Sequence, residues 1–306
     1  MSDREQLEML APAKLNLCLY LGPRGEDGMH QISSLFQPID LCDRILISEV
    51  EVDDEVICSA VPGEDLTART LRLLREADLD LPPLRIEVEK RSPLAAGMGG
   101  GSADAAAVLR YARDRLGEES LVTLRSTALE VGSDVLAQSG LWAESGHRAE
   151  AQRSLVGGIG DEVSAAPPGD AFGVVLITSD EGLSTPEVYA EADRIGSART
   201  GPELAGVAES LRFGSSGLPL VPVEAMVNDL QTAAISLRPE IEASLSALRE
   251  AGAVHAMVTG SGPTVFGSFA TKEDAVGAAE KLVEEGRSGV VAAGPFDPST
   301  AQEVDS

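Results

Sequence analysis

Aromatic residues are scarce in this chain. Phe, Trp and Tyr make up 3% of its 306 residues, with one Trp and three Tyr. Hydrophobic residues still reach 43%, so the core must be built from Leu, Val, Ala and Ile. Lysine is rare too: Lys14, Lys90, Lys272 and Lys281 are all there is, which makes any lysine in an apolar setting conspicuous. Cysteine is limited to Cys18, Cys42 and Cys58, an odd number with no CxxC pair or Cys/His cluster. That argues against a disulfide framework or a zinc site and points to a reducing cytoplasm. No apolar run approaches the roughly 18 residues of a membrane span. The opening MSDREQLEML has neither the basic start nor the apolar stretch of a secretory signal. Positive charge is outnumbered, 24 Lys and Arg against 50 Asp and Glu, for a net charge of −26. This acidity is spread along the chain, and it disfavours nucleic acid and anionic membranes as partners.

The patterning of what is present predicts two α/β halves, an α+β layer arrangement. KLNLCLYL (14–21) reads as a buried strand. QISSLFQPIDLCDRILISEV reads as two strands broken at Pro38, and EVDDEVICSA and LRIEVEK alternate as half-buried strands do. Helices are expected over DLTARTLRLLREA, from about 103 in SADAAAVLRYARDRLG, and on either side of Gly132 in SLVTLRSTALEVGSDVLAQ. The Gly-, Pro- and Asp-rich stretch at 151–170 is expected to be loose and to mark a boundary between domains at 1–160 and 161–306. Beyond it, FGVVLIT is a strand and TPEVYAEADRI a helix with a Thr cap and Pro at its first position. ARTGPELAGVAESLRFGSSGLPLVP is poorly patterned and expected to be mobile. PEIEASLSALREAG is a helix, VHAMVTGSGPTVFGSFA a strand, tight loop and strand, KEDAVGAAEKLVEEG a helix and GVVAAGPF a strand.

The chemistry concentrates in RSPLAAGMGGGSADAAAVLR (91–110). Glycines let a ligand approach backbone N–H groups, and a helix start adds unpaired donors and about half a positive charge. Together they make an anion site, most often for phosphate. No Gly-Lys-Ser/Thr follows, so it is not a Walker loop, and the spacing is wrong for a dinucleotide fingerprint. Read by pattern alone, a flexible turn into a helix remains the alternative.

Several segments in order carry a resemblance. PLAAGMGGGSADAAA resembles the second motif of the GHMP kinases and MVTGSGPTVFGSF their third. APAKLNLCLYLGPRGEDGMHQISSLFQPIDLCD, VGSDV, LSTPEVY and VNDLQ are similar to the members that act on a cytidine-diphosphate-linked polyol. The resemblance implies a two-domain α/β kinase, with a ribosomal-S5-like N-terminal half, a ferredoxin-like C-terminal half and a site between them. It implies ATP and Mg2+, a small-molecule substrate and a monomer or weak homodimer. It places Lys14 at the acceptor hydroxyl and Asp134 as the general base. Pro93, Gly97, Gly99, Gly100, Gly101 and Ser102 would surround the nucleotide phosphates, with Ser102 on a β-phosphate or Mg2+. Asp65 would lie at the adenine. Asn16, His30, Thr185 and Tyr189 would hold the substrate, His30 and Tyr189 at the cytosine, and Gly260, Ser261 and Gly262 would supply N–H donors near the transferred group.

Taken by themselves, the same residues have plainer readings: Lys14 as a strand lysine reaching water, Asp134 as a helix cap, His30 as a turn residue, Tyr189 as a core residue and 260–264 as a turn. The chain also departs from the family pattern. Met29 stands where a Tyr is usual before the histidine, Asp65 replaces an Asn, and DVPFF is DVLAQ after Asp134. A kinase for another small alcohol or phosphate, or a non-catalytic nucleotide-binding homologue, are the alternatives.

Overall fold

A computed structural model describes residues 6–61, 63–143, 150–166, 169, 172–179, 181–214 and 225–298. Two long antiparallel strands, β1 (Leu7–Arg24) and β2 (His30–Glu49), form its spine. Residues 11–22 of β1 are buried without alternation, because both faces of the strand are covered. Pro38 does not break β2: it pairs with Lys14 inside a continuous strand. The register slips on both sides of that pair, between Pro12 and Lys14 and between Asn16 and Cys18. The missing proline N–H thus falls where the ladder is already irregular.

Four shorter strands complete the first sheet: β3 (Glu55–Ile57), β4 (Leu84–Glu89), β5 (Ser154–Gly157) and β6 (Glu162–Ala165). The order is β3-β4-β2-β5-β6, with β1 on β2. EVDDEVICSA therefore contributes only three strand residues. The 151–170 stretch, expected to be loose, instead supplies the β5–β6 hairpin, with β5 laid against β2 at 34–36; residues 167, 168 and 170 lie outside the described residues. Helices α1 (Leu66–Glu76), α2 (Gly100–Leu116), α3 (Leu121–Val131) and α4 (Ser133–Ser139) pack on this sheet. Residues 103–112 of α2 are all buried, and its small alanines allow the close approach.

The second half contains β7 (Gly173–Ile177), α5 (Thr185–Ile195), α6 (Gly201–Gly214), α7 (Gln231–Leu237), α8 (Glu240–Glu250), β8 (His255–Val258), β9 (Val265–Phe269), α9 (Lys272–Glu284) and β10 (Val290–Ala293). Its sheet runs β10-β7-β9-β8, every pair antiparallel. This is the split βαβ order of ferredoxin-like layers. The segment expected to be mobile holds α6, and its residues 215–222 lie outside the described residues. Among the described residues, no helix is long and apolar enough to cross a membrane.

The halves meet along β1. Leu19 N donates to Val227 O at 2.7 Å and Asp229 N to Leu19 O at 2.9 Å. A shared core of Leu15, Leu17, Leu35, Phe172, Val174 and Phe266 lies between the two sheets.

Candidate active site

Alternation along β1 sends Lys14 and Asn16 to the same face. Both are buried, at 4% and 1% exposure, and Lys14 Nζ donates to Asn16 Oδ1 at 2.6 Å. A buried ammonium is costly unless it is paired. Lys14 is well supplied: Asp134 Oδ2 lies 3.4 Å from its Nζ, Gly97 O accepts at 3.4 Å, and the Phe36 ring centroid is 4.6 Å away. Asn16 is fixed in turn. Its N–H donates to Thr259 Oγ1 at 3.0 Å, and its Nδ2 to Ser34 Oγ at 2.8 Å.

The glycine stretch enters α2 three residues earlier than expected. Gly99, with φ 65°, is the N-terminal boundary residue, and no side chain caps the helix. Gly100, Gly101 and Ser102 form the first turn, whose donors precede the bond from Ala103 N to Gly99 O at 2.9 Å. Lys14 N donates to Met98 O at 2.9 Å, which ties the loop after Pro93 to β1. Gly97, with φ 74°, has no space for a side chain: a Cβ would fall 2.6 Å from Thr259 O and 2.9 Å from Gly262 O. The two glycine-rich loops, one from each half, therefore pack backbone on backbone. Gly260 (φ 57°) and Gly262 (φ 81°) shape the second loop.

Gly132 ends α3, and Asp134 lies in the first turn of α4. Its side chain is 32% exposed, so its carboxylate is open to a ligand while it faces Lys14. Nearby, the Tyr189 hydroxyl is pushed up to about 12, by burial first and then by the Asp134 carboxylate. The His30 and Tyr189 rings lie 5.7 Å apart, tilted by 48°. His30 Nδ1 is 2.9 Å from Gly22 O, and Nε2 is 3.0 Å from Asp193 Oδ1 without hydrogen-bond alignment. Met29 beside it is 49% exposed. The Thr cap expected for α5 falls on Ser184; Thr185 is the first helical residue, and its Oγ1 lies 2.8 Å from Ser261 Oγ, joining α5 to the second glycine loop. Asp65 caps α1, accepting from Ala68 N at 2.8 Å, so one carboxylate oxygen already has a structural partner.

Lys14, Asn16, Asp134 and the two glycine loops thus converge, and around α5 His30 meets Tyr189 ring to ring while Thr185 meets Ser261 hydroxyl to hydroxyl. Two cavities lie elsewhere: one of about 430 Å³ is lined by Val254 and Lys281, another of about 230 Å³ by Gln37 and Phe296.

Sequence reasoning missed several supporting residues. Asn228 Nδ2 donates to Val258 O and Gly260 O, both at 2.8 Å, and so holds the second loop. Asp43, Lys90, Ser92 and Asp104 form a buried network under the first. Lys90 Nζ donates to Asp43 and, at 2.7 Å, to Asp104 Oδ2, and Ser92 Oγ donates to Asp43 at 2.6 Å. Burial pushes the Asp104 carboxyl up to about 7, against the pull of Lys90. For Asp43 the bonds from Lys90 and Ser92 outweigh burial and leave it below the usual range. The scarcity of lysine had marked Lys90, but nothing local paired it with Asp43.

A glycine-rich helix start without a side-chain cap, a lysine–carboxylate pair beside it and a second glycine loop from the other half lie together. Residues 65–142 match the GHMP kinases N terminal domain and residues 221–288 the GHMP kinases C terminal family. The chain belongs to the GHMP kinases and is an ATP-dependent kinase. Its relatives narrow this further. It is 34% identical over 279 residues to 4-diphosphocytidyl-2-C-methyl-D-erythritol kinase of Desulfitobacterium hafniense (strain Y51), covering 89% of this chain and 90% of the relative. It is 36% identical over 301 residues to the enzyme so named from Anaeromyxobacter dehalogenans (strain 2CP-C), covering 94% and 88%. A crystal structure of 4-(cytidine 5'-diphospho)-2C-methyl-D-erythritol kinase superposes with a TM-score of 0.74 at 29% identity, over 95% of this chain and 100% of that one. Homoserine kinase from Cytophaga hutchinsonii shares the fold, with a TM-score of 0.64 at 17% identity, covering 97% and 96%.

Proposed function

We propose that the chain transfers the γ-phosphoryl group of ATP to the 2-hydroxyl of 4-diphosphocytidyl-2-C-methyl-D-erythritol, a step in isoprenoid precursor synthesis. The observation that carries the chemistry is the 3.4 Å pairing of Lys14 with Asp134 beside the glycine cradle. Phosphoryl transfer needs positioning and charge stabilisation more than covalent help. The amides at 99–102 hold the phosphates. Asp134 takes the hydroxyl proton as the substrate oxygen bonds to the γ-phosphorus, and the bond to the β-phosphate oxygen breaks to release ADP. Lys14 stabilises the negative charge that grows on the attacking oxygen. His30 and Tyr189 face the cytosine, with Thr185 and Ser261 alongside.

Mg2+ fits this donor set as a partner of ATP. Among the described residues no three His, Cys, Asp or Glu gather into a metal cage. Mg2+ of a nucleotide takes most of its ligands from phosphate oxygens and water, and the Ser102 hydroxyl at the start of α2 would be its protein oxygen. When bound, the cation neutralises phosphate charge.

A second reading, a different alcohol acceptor, is favoured by Met29, whose exposed thioether offers a less defined contact for a base than a ring. Purified protein with Mg2+-ATP and a panel of alcohols separates the two by ADP release. Turnover of the cytidine-linked polyol supports the first; turnover of another alcohol alone supports the second and overturns the first.

A further inference from the structure

Gln138 follows Asp134 by one turn on α4 and is 3% exposed. Its Nε2 donates to Gly99 O at 3.1 Å and reaches Asp134 O at 3.5 Å. Both neighbours are carbonyls, so the amide nitrogen and not the oxygen must face them. That leaves Oε1 buried with no donor. A Cβ on Gly99 would lie 2.7 Å from Nε2 and 3.1 Å from Cε of Lys14. The amide therefore sits where the Asp134 turn, the Lys14 stem and the start of the phosphate cradle meet. Gln138 is held from behind as well: its backbone oxygen accepts from Arg110 Nη1 on α2 at 3.0 Å, and Arg110 Nη2 donates to Leu10 O at 2.7 Å.

For stability the amide's two ends pull in opposite directions: the bond from Nε2 to Gly99 O contributes, and the unmet Oε1 costs. A buried acceptor with no donor carries the full cost of its desolvation, and a leucine would fill the space without it. The Ala103 bond to Gly99 O would remain to start α2. What the amide adds is a direct tie between two parts that the reaction needs in register. We infer that Gln138 is a positioning residue for phosphoryl transfer: through Gly99 O it fixes the triphosphate cradle relative to Asp134. This rests on the proposed function for its kinetic consequence but not for its structural one.

Two variants test it. Gln138→Leu removes the donor; kcat falls about 10-fold or more because a misplaced base acts only on the transition state, while both KM values stay within about threefold. Its melting temperature is unchanged or higher. Gln138→Glu restores the donor only when the carboxyl is neutral, a form that burial favours. Its kcat relative to the parent therefore rises as pH is lowered from 8 to 6, whereas the leucine variant's ratio stays flat. Hydrogen exchange on both proteins without substrate reads the tie itself: amides at 97–103 exchange faster in Gln138→Leu and those of β2 do not. Unaltered exchange at 97–103 overturns the inference whatever the acceptor alcohol proves to be. So does a leucine variant with kcat within twofold of the parent, or one whose loss follows a fall in melting temperature. A parent that leaves the cytidine-linked polyol untouched overturns the proposed substrate instead, and the exchange result still decides this inference.

Discussion

Two glycines in one motif should respond to alanine in opposite ways. Gly97 has φ 74°, a conformation that costs an alanine about 1–2 kcal/mol. Its new methyl would also lie 2.6 Å from Thr259 O and 2.9 Å from Gly262 O. Neither oxygen gives way easily, since Thr259 N donates to Thr264 O and Gly262 N to Thr259 O, both at 3.0 Å. Adding the backbone strain that must follow, Gly97→Ala should cost about 2–4 kcal/mol. Gly101 is helical, and its Cβ would meet only Leu66 at 3.6 Å, an ordinary contact. Gly101→Ala should leave stability unchanged or raise it by up to about 1 kcal/mol. Its methyl projects from the first turn of the helix, where phosphate would approach, so the KM for ATP should rise. Urea unfolding followed by circular dichroism and by Trp142 fluorescence gives the stabilities, and initial rates give KM. A Gly97→Ala protein as stable as the parent refutes the tight loop packing. A Gly101→Ala protein with parental KM refutes the phosphate cradle.

Met29→Tyr should lower KM for a cytidine-bearing substrate several-fold with kcat unchanged, as a ring contact worth about 0.5–1.5 kcal/mol implies; steady-state kinetics check it, and an unchanged KM counts against base contact at this position. Asp104→Asn should alter the pH dependence of stability. The folded carboxyl titrates near 7 against an ordinary 3.8, so between those values the folded protein holds a proton that the unfolded chain has released, and the parent loses stability as pH rises through the window. The variant lacks that loss, so urea midpoints at pH 5 and 7.5 should show it gaining on the parent. Both substrates are anions approaching a chain of net charge −26, so moderate salt should raise kcat/KM or leave it flat. A steep fall would contradict this.

How much of this was legible in the sequence depended on whether the cause was local. Lys14 and Asn16 stand two apart on a strand, and strand alternation alone gives them one face. Gly97 to Gly101 announce a loop and a helix start within a few residues. Pro38 misled because its tolerance comes from the register slips in β1, which only the pairing of two distant segments creates. The Gly and Pro content of 151–170 hid a hairpin stabilised by β2, and the weak pattern of 201–214 hid a helix that packs on β1, β2 and β5. Asn228 on Gly260, Lys90 on Asp43 and Gln138 on Gly99 are contacts between segments far apart in sequence. Their residue types carry no local signal of a partner, so the scaffold of the site emerged only with the fold.

The most direct test of the account is the turnover of Asp134→Asn with ATP and the acceptor both saturating. The amide keeps the size of the carboxylate and can no longer take a proton, so kcat should fall about 10²-fold or more, with the protein still folded and still binding an ATP analogue. Parental turnover in that variant would contradict the claim that Lys14 and Asp134 form the centre of the reaction.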